Sequence, residues 1–340
     1  MKTNNKGEIM DNLKKVGLTA LAGSLAAISA NAAEMTVSGA TVLTYTDEDN
    51  TEVTGNPYGM KTNLGFTASG EVNGYTVSYM QTSVDQFAGM SSARLSIDMG
   101  DMGTVAFDQG SGSGLSTIDD KTPTAAEEIW DGLDGVTVGG LVGASSSGAW
   151  NYVNTFGGLG FNASYLKGSG TKNADGASSG NGNGGSSWDF AVTGSGDDYG
   201  VEGLAFGGGY GNIASGSSDA GDGDSKHSTI FANYSMGMAT LGAQLSEIDN
   251  GQAAGTDEET QAWGVAININ DNLSVSYGER EVEYIKANNV ANVTEKGSGI
   301  AVAYTMGSIK IAGNINDVDN NDGTAGSSDE MTEIAVSFAF

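Results

Sequence analysis

The last ten residues, Met331–Phe340 (MTEIAVSFAF), alternate without a break. Thr332, Ile334, Val336, Phe338 and Phe340 fall on one face, and Glu333, Ala335, Ser337 and Ala339 on the other. Side chains of a β-strand leave opposite faces with period two, so this stretch reads as a strand with one apolar face and one small or charged face. The pattern recurs upstream. In Gln261–Ile269, Trp263, Val265, Ile267 and Ile269 share the face headed by Gln261, opposite Ala262, Gly264, Ala266 and Asn268. Ile309, Ile311 and Ile315 oppose Lys310, Ala312 and Asn314. Near the other end, Leu64, Phe66 and Ala68 oppose Lys61, Asn63, Gly65 and Thr67, and Tyr75, Val77 and Tyr79 oppose Thr76, Ser78 and Met80.

Sixteen such segments can be placed, at roughly 34–46, 59–69, 74–83, 90–100, 103–109, 149–156, 160–167, 187–194, 199–209, 227–236, 239–247, 259–268, 273–283, 295–305, 308–316 and 330–340. The connections alternate as well. Tight turns at 70–73, 101–102, 157–159, 195–198, 237–238, 269–272 and 306–307 interleave with longer polar segments at 47–58, 84–89, 110–148, 168–186, 210–226, 248–258, 284–294 and 317–329. An antiparallel meander with all its tight turns at one end gives this order. The two faces decide its setting. One carries Val, Ile, Leu, Phe, Tyr and Trp; the other is mostly Gly, Ala, Ser, Thr and Asn. A soluble sandwich buries its large side chains and wets the rest, whereas a barrel with lipid outside and water inside shows this contrast, and closure leaves no unpaired edge for lipid to meet. Tyr45, Tyr79, Trp150, Tyr165, Trp188 and Tyr304 stand near strand ends, as interfacial girdles do. A secreted β-solenoid or repetitive adhesin, also Gly- and Asp-rich, would carry a fixed short repeat, and none is found.

Composition removes other classes. The chain of 340 residues holds 54 Gly, 2 Pro, no Cys and 1 His. Without Cys there is no disulfide framework, thiol nucleophile or thiolate metal site. The lone His227 excludes a two-imidazole site within one chain and has no motif around it to support hydrolysis. With 14 basic against 42 acidic residues, the net charge of −28 argues against nucleic acid as a partner. Asp317–Gly323 (DVDNNDG) places oxygen ligands at alternating positions, a composition suited to Ca2+, but a calcium loop wants Gly one place earlier and a closing Glu. No other cofactor is expected.

The N-terminus reads as an address. Lys14 and Lys15 precede the weakly apolar Val16–Ile28, and Ala30-Asn31-Ala32 puts small side chains at −3 and −1 of a cleavage site before Ala33. Residues 1–32 are therefore expected to be a removed signal peptide, with Met10 as the more usual start, and 33–340 to be the barrel domain.

At this point the chain resembles the general diffusion porins of the Gram-negative outer membrane, in the style of the short alphaproteobacterial members. The resemblance is carried by Ala30–Glu34 followed by MTVSGATVLTY, by the hairpin Ala93–Gly110 (ARLSIDMGDMGTVAFDQG), by Trp150–Lys167 (WNYVNTFGGLGFNASYLK), and by the C-terminal Ile334–Phe340 ending on an aromatic residue. It implies a homotrimer of 16-stranded all-β transmembrane barrels passing small hydrophilic solutes. It also implies contacts with outer-membrane lipid and lipopolysaccharide, and insertion by the barrel assembly machinery through a signal that includes Phe338 and Phe340. The third long segment, 110–148, is then expected to fold inward. Its Asp119, Asp120, Glu127, Glu128, Asp131 and Asp134 would form the loop side of a constriction, facing Lys61, Arg94 and Asp98 on the wall. Arg94 matches the family's wall arginine and shares the lumenal parity of Ser96 and Asp98, with which it could alternatively pair; Lys61 and Lys310 have lumenal parity too. The usual cluster of several arginines is missing, since only Arg94 and Arg280 exist. The expectation is an outer-membrane channel preferring cations, exported through the periplasm and not an enzyme. The alternatives are a substrate-specific channel on the same barrel and a secreted surface adhesin.

Overall fold

The computed structural model describes residues 34–48, 56–84, 90–133, 144, 148–168, 185–215, 223–252 and 254–340. Residues 1–32, read as a signal peptide, lie outside them. Sixteen strands follow in chain order: β1 Glu34–Glu48, β2 Tyr58–Val72, β3 Tyr75–Val84, β4 Met90–Asp98, β5 Thr104–Gln109, β6 Ala149–Phe156, β7 Leu159–Leu166 and β8 Ser187–Ser195. They continue with β9 Leu204–Ile213, β10 Ser225–Met236, β11 Ala239–Asp249, β12 Thr256–Asn268, β13 Leu273–Lys286, β14 Val293–Met306, β15 Ile309–Asp319 and β16 Ser328–Ala339. Each strand pairs antiparallel with its sequence neighbours, and β16 returns to β1, closing the barrel.

The seam is set by the C-terminal stretch Met331–Phe340. Ala339 pairs with Ala40 and Ile334 with Tyr45. Phe340 continues the ladder: its N–H donates to Gly39 O at 3.0 Å, and its own carbonyl accepts from Gly39 N at 2.9 Å. The Phe340 ring lies over Gly39, where a Cβ would stand 2.8 Å from a ring carbon. The terminal aromatic thus covers the closing seam on the outside.

The alternation sorts the faces as the sequence implies. Outward side chains are large and apolar: Ile230 is 61% and Ile315 59% exposed in the isolated chain, while inward Ala106 and Ala191 are 1% exposed. Such an outer surface is incompatible with water and matched to hydrocarbon. Aromatic pairs flank the band toward the long connections, with Tyr45–Tyr58 at 5.6 Å and Trp188–Tyr210 at 5.8 Å between centroids. Tyr75, Phe156, Tyr199 and Tyr304 face outward near the tight turns.

Several strands run three or four residues further than expected, and two of the boundaries differ for visible local reasons. The first turn is not 70–73 but the pair Asn73-Gly74, with φ of 53° and 84°; both central residues have positive φ, as a two-residue hairpin turn requires. The ninth strand begins at Leu204 rather than 199. Gly196–Tyr199 form a short 3₁₀ turn, Ser195 Oγ accepts from Asp197 N, and Asp197 Oδ1 accepts from Gly203 N at 2.9 Å. The side chains of Ser195 and Asp197 take backbone donors that a longer strand would have used.

Candidate functional site

In the connection between β5 and β6, the described residues 110–133 turn into the barrel and lie along its inner wall from β7 to β16. Its entry is fixed by wall carboxylates and amides. Asp108 Oδ1 accepts from Ser111 N at 2.9 Å, and Asn162 Oδ1 from Gly114 N at 2.9 Å. Asp189, on β8, accepts from Leu115 N at 3.2 Å and also from Ala144 N, so one carboxylate holds both limbs of the loop. Leu115 and Ile118 are fully buried with Ala191, and Phe231 packs against them.

From Lys121 to Leu133 the loop follows one row of directly paired inward residues. The row runs Asn233 on β10, Gly242 on β11, Gly264 on β12, Gly278 on β13, Gly299 on β14, Asn316 on β15 and Met331 on β16. Four adjacent glycines open a trough, and the loop fills it. A Cβ on Gly242 would stand 2.5 Å from Pro123 Cδ, one on Gly264 2.8 Å from Pro123 O, and one on Gly299 3.0 Å from Ile129 Cβ. Glycine inside a strand often marks such a close approach. The asparagines at the ends hold the loop backbone: Asn233 Nδ2 donates to Lys121 O at 2.8 Å, and Asn316 Nδ2 to Glu128 O at 3.1 Å and Asp131 O at 2.9 Å. Between them, Gln244 Oε1 accepts from Lys121 N at 2.7 Å and Ser276 Oγ from Ala125 N at 2.8 Å. Leu133 ends the run in an apolar cluster with Val318 and Met331.

Seating the backbone this way fixes the acids. Glu127 is exposed; Asp119, Asp120, Glu128 and Asp131 are half-buried. Burial raises the Asp119 carboxyl above its usual range, with repulsion from Asp120 in addition. Burial also pushes Glu128 up to about 7, opposed by a backbone hydrogen bond and reinforced by the neighbouring Asp120 and Glu127. Asp131 is raised by burial and by Glu127, against the attraction of Lys61. Lys61, across the seam on β2, is therefore within electrostatic reach of the loop's far end. Glu333 joins this group from β16, interacting with Asp131, Glu127 and Lys61. Its parity in Met331–Phe340 marked it as lumenal, but only closure of β16 on β1 brings it to Lys61.

The remaining wall candidates separate. Arg94 donates to Gly112 O at 3.3 Å and to Asn151 Oδ1, which binds it to the loop entry. Its suggested partner Asp98 is four residues nearer the tight turn, about 13 Å away at ~3.3 Å per residue, and caps Gly100 N at 2.9 Å. Asp98 thus belongs to the turn rim rather than to the loop belt. Lys310 pairs across to Thr305 and Ser337 beside the turn after β14, also at that rim. Asp134 lies outside the described residues. In Asp317–Gly323, Asp317 and Asp319 leave the outer face while Asn316 and Val318 turn inward, so the acids do not converge; among the described residues no group of three or more His, Asp or Glu side chains could hold a metal ion. His227 is a buried inner-wall residue beside Ser225 Oγ at 2.7 Å. The seating residues Asp189, Asn233, Gln244, Ser276 and Asn316 were legible only as lumenal small or polar positions; nothing local distinguished them as loop partners.

A closed barrel narrowed by an internal loop defines a channel architecture, and the comparisons agree. The chain belongs to the Gram-negative porin family, whose model matches residues 17–340. A mutant porin of Rh. blastica shares the fold at a TM-score of 0.63 with 13% identity, over 90% of this chain and 100% of that one. OmpT, an outer membrane protein of Vibrio cholerae, superposes at 0.64 with 15% identity, over 91% of this chain and 98% of that one. At these identities the likeness is one of fold. No curated protein matches by sequence. The protein is an outer-membrane channel of the porin class, which sets aside the adhesin reading.

Proposed function

We propose that the channel passes small hydrophilic solutes and ions by passive diffusion and favours cations. The observation that carries this reading is the charge at the narrowing. Five described loop acids and Glu333 stand there against Lys61 of the wall and Lys121 of the loop itself, while Arg94 is bound at the loop entry to Gly112 O and Asn151. Fixed carboxylates in a water-filled passage raise the local concentration of cations and lower that of anions. Among the described residues, neither a ladder of inward basic groups, as a phosphate channel would want, nor an aromatic slide for sugars supports a dedicated substrate. The channel works as a homotrimer after cleavage before Ala33, inserted by the assembly machinery into lipid and lipopolysaccharide. The test is the reversal potential of the purified protein in planar bilayers under a salt gradient, with crosslinking in detergent for the trimer. Cation selectivity that weakens with rising salt is expected, because the screening length shortens from ~10 Å at 0.1 M to ~3 Å at 1 M. An anion-selective potential would refute the charge assignment.

A further inference from the structure

The far end of the constriction loop is held by a buried cluster that the trough does not explain. Trp130 is 6% exposed, and the Arg280 guanidinium, on β13, stands over its ring at 5.1 Å. Arg280 is itself 3% exposed and forms an ion pair with Glu295 of β14, Nη1 to Oε1 at 3.5 Å. Glu295 reaches further: its Oε2 accepts from Tyr284 OH at 3.2 Å and from the backbone N–H of Asp322 at 3.0 Å. Asp322 belongs to the connection between β15 and β16, and the next residue, Gly323, rests on the Tyr284 ring and accepts from Lys286 Nζ at 2.7 Å. One continuous set of contacts therefore joins the constriction loop, two barrel strands and the last long connection.

We infer that Arg280 is a positioning residue of the pore: by clamping Trp130 against the wall it sets where Glu127, Glu128 and Asp131 stand in the aperture. The inference rests on the channel reading above and adds a residue to it. Three arguments support the assignment. Neither Arg280 nor Trp130 lines the passage, since both are buried, so they affect flow only through what they hold. Trp130 lies between Glu128 and Asp131, whose carbonyls Asn316 binds, so the clamp and the asparagine grip the same turn from two sides. Finally, a planar guanidinium both stacks on an indole face and pairs with a carboxylate, which a lysine ammonium does less well. With its charge taken up by Glu295, Arg280 orients the loop without adding a positive charge to the aperture.

Single-channel recording tests this with four variants. Trp130→Leu removes the stacked ring from a loop that takes no part in barrel closure. Arg280→Met combined with Glu295→Gln removes the clamp from the wall and neutralises its ion-pair partner. Arg280→Lys keeps the charge alone. The fourth combines all three changes of the first two. In assembled channels, the first two variants are expected to change unit conductance by about 1.5-fold or more and to raise open-channel noise severalfold, as a loosened loop samples several positions. Arg280→Lys should keep only part of the quiet open state. The combined variant should be no worse than either parent, since both break one contact. Wild-type conductance and noise in Trp130→Leu, or additive effects in the combination, would overturn the inference while leaving the channel reading intact. Absence of any channel in the wild type would instead remove the reading beneath it.

Discussion

On the proposed cation-preferring reading, Glu128 should give the constriction a charge that depends on pH near neutrality. Its carboxyl is pushed up to about 7 by burial, with Asp120 and Glu127 beside it. At pH 6 it is then about 10% ionised and at pH 8 about 90%. Because the raised value belongs to an acid, the negative charge is present above 7 and lost below it. The effect on a passing ion follows from Coulomb's law. A unit charge about 5 Å away in water is worth about 0.8 kcal/mol, and a Debye length of ~10 Å at 0.1 M salt reduces it to about 0.5 kcal/mol. That is roughly twofold in cation concentration, and the reverse for anions, so the cation-to-anion permeability ratio should rise about fourfold between pH 6 and 8. At 1 M salt, with a Debye length of ~3 Å, the change should shrink to less than twofold. Reversal potentials measured across this pH range at both salt concentrations read the effect directly. Glu128→Gln should hold the ratio near its low-pH value and flatten the step. A step of equal size in Glu128→Gln would place the titrating group elsewhere, in Asp119 or Asp131, whose carboxyls are also raised; no step in the wild type would refute the burial argument itself.

Four further outcomes are expected. Replacing Arg94 by Gln should raise the cation-to-anion permeability ratio by about fourfold at 0.1 M salt, since losing a positive charge is the same Coulomb step as gaining a negative one, read as a shift in reversal potential. Gly264→Val brings a side chain against Pro123 O; overpacking of this kind costs on the order of 1–3 kcal/mol, so the barrel should assemble while the loop lifts from its trough, seen as increased current noise and faster proteolysis within 110–133. Removing most of 112–146 should raise conductance and preserve heat-modifiable migration in gels, because every ladder that closes the barrel lies in the strands. Deleting Phe340 removes the last pair of ladder bonds to Gly39 and the ring over the seam, and should leave exported but unassembled protein; normal trimer levels in cell fractions would show that the seam does not need it.

The strands were legible because each requires only its own residues. Alternation from Thr332 to Phe340, or from Trp263 to Ile269, states which side chains face lipid without knowledge of any neighbour. The ninth strand was misplaced where that local signal failed: Tyr199–Gly203 can alternate, but Ser195 and Asp197 hold them in a turn through bonds the pattern does not show. The seat of the loop was hidden for a different reason. Gly242, Gly264, Gly278 and Gly299 each read as an ordinary small lumenal residue, and they become a trough only when the register aligns them across four strands. Register is a relation between strands, set by turn geometry and by which face must meet lipid, and one residue of slip would carry any of the four to the other side. The same holds for Glu333 and Lys61, far apart in sequence and joined by barrel closure, and for Arg280, whose partner Trp130 sits in a loop without periodicity. What single strands encode is therefore the membrane face of this protein. The aperture is encoded in pairings between strands and in the loop they hold, so selectivity can change through substitutions at glycine and asparagine positions that leave the outer surface, and the alternation itself, untouched.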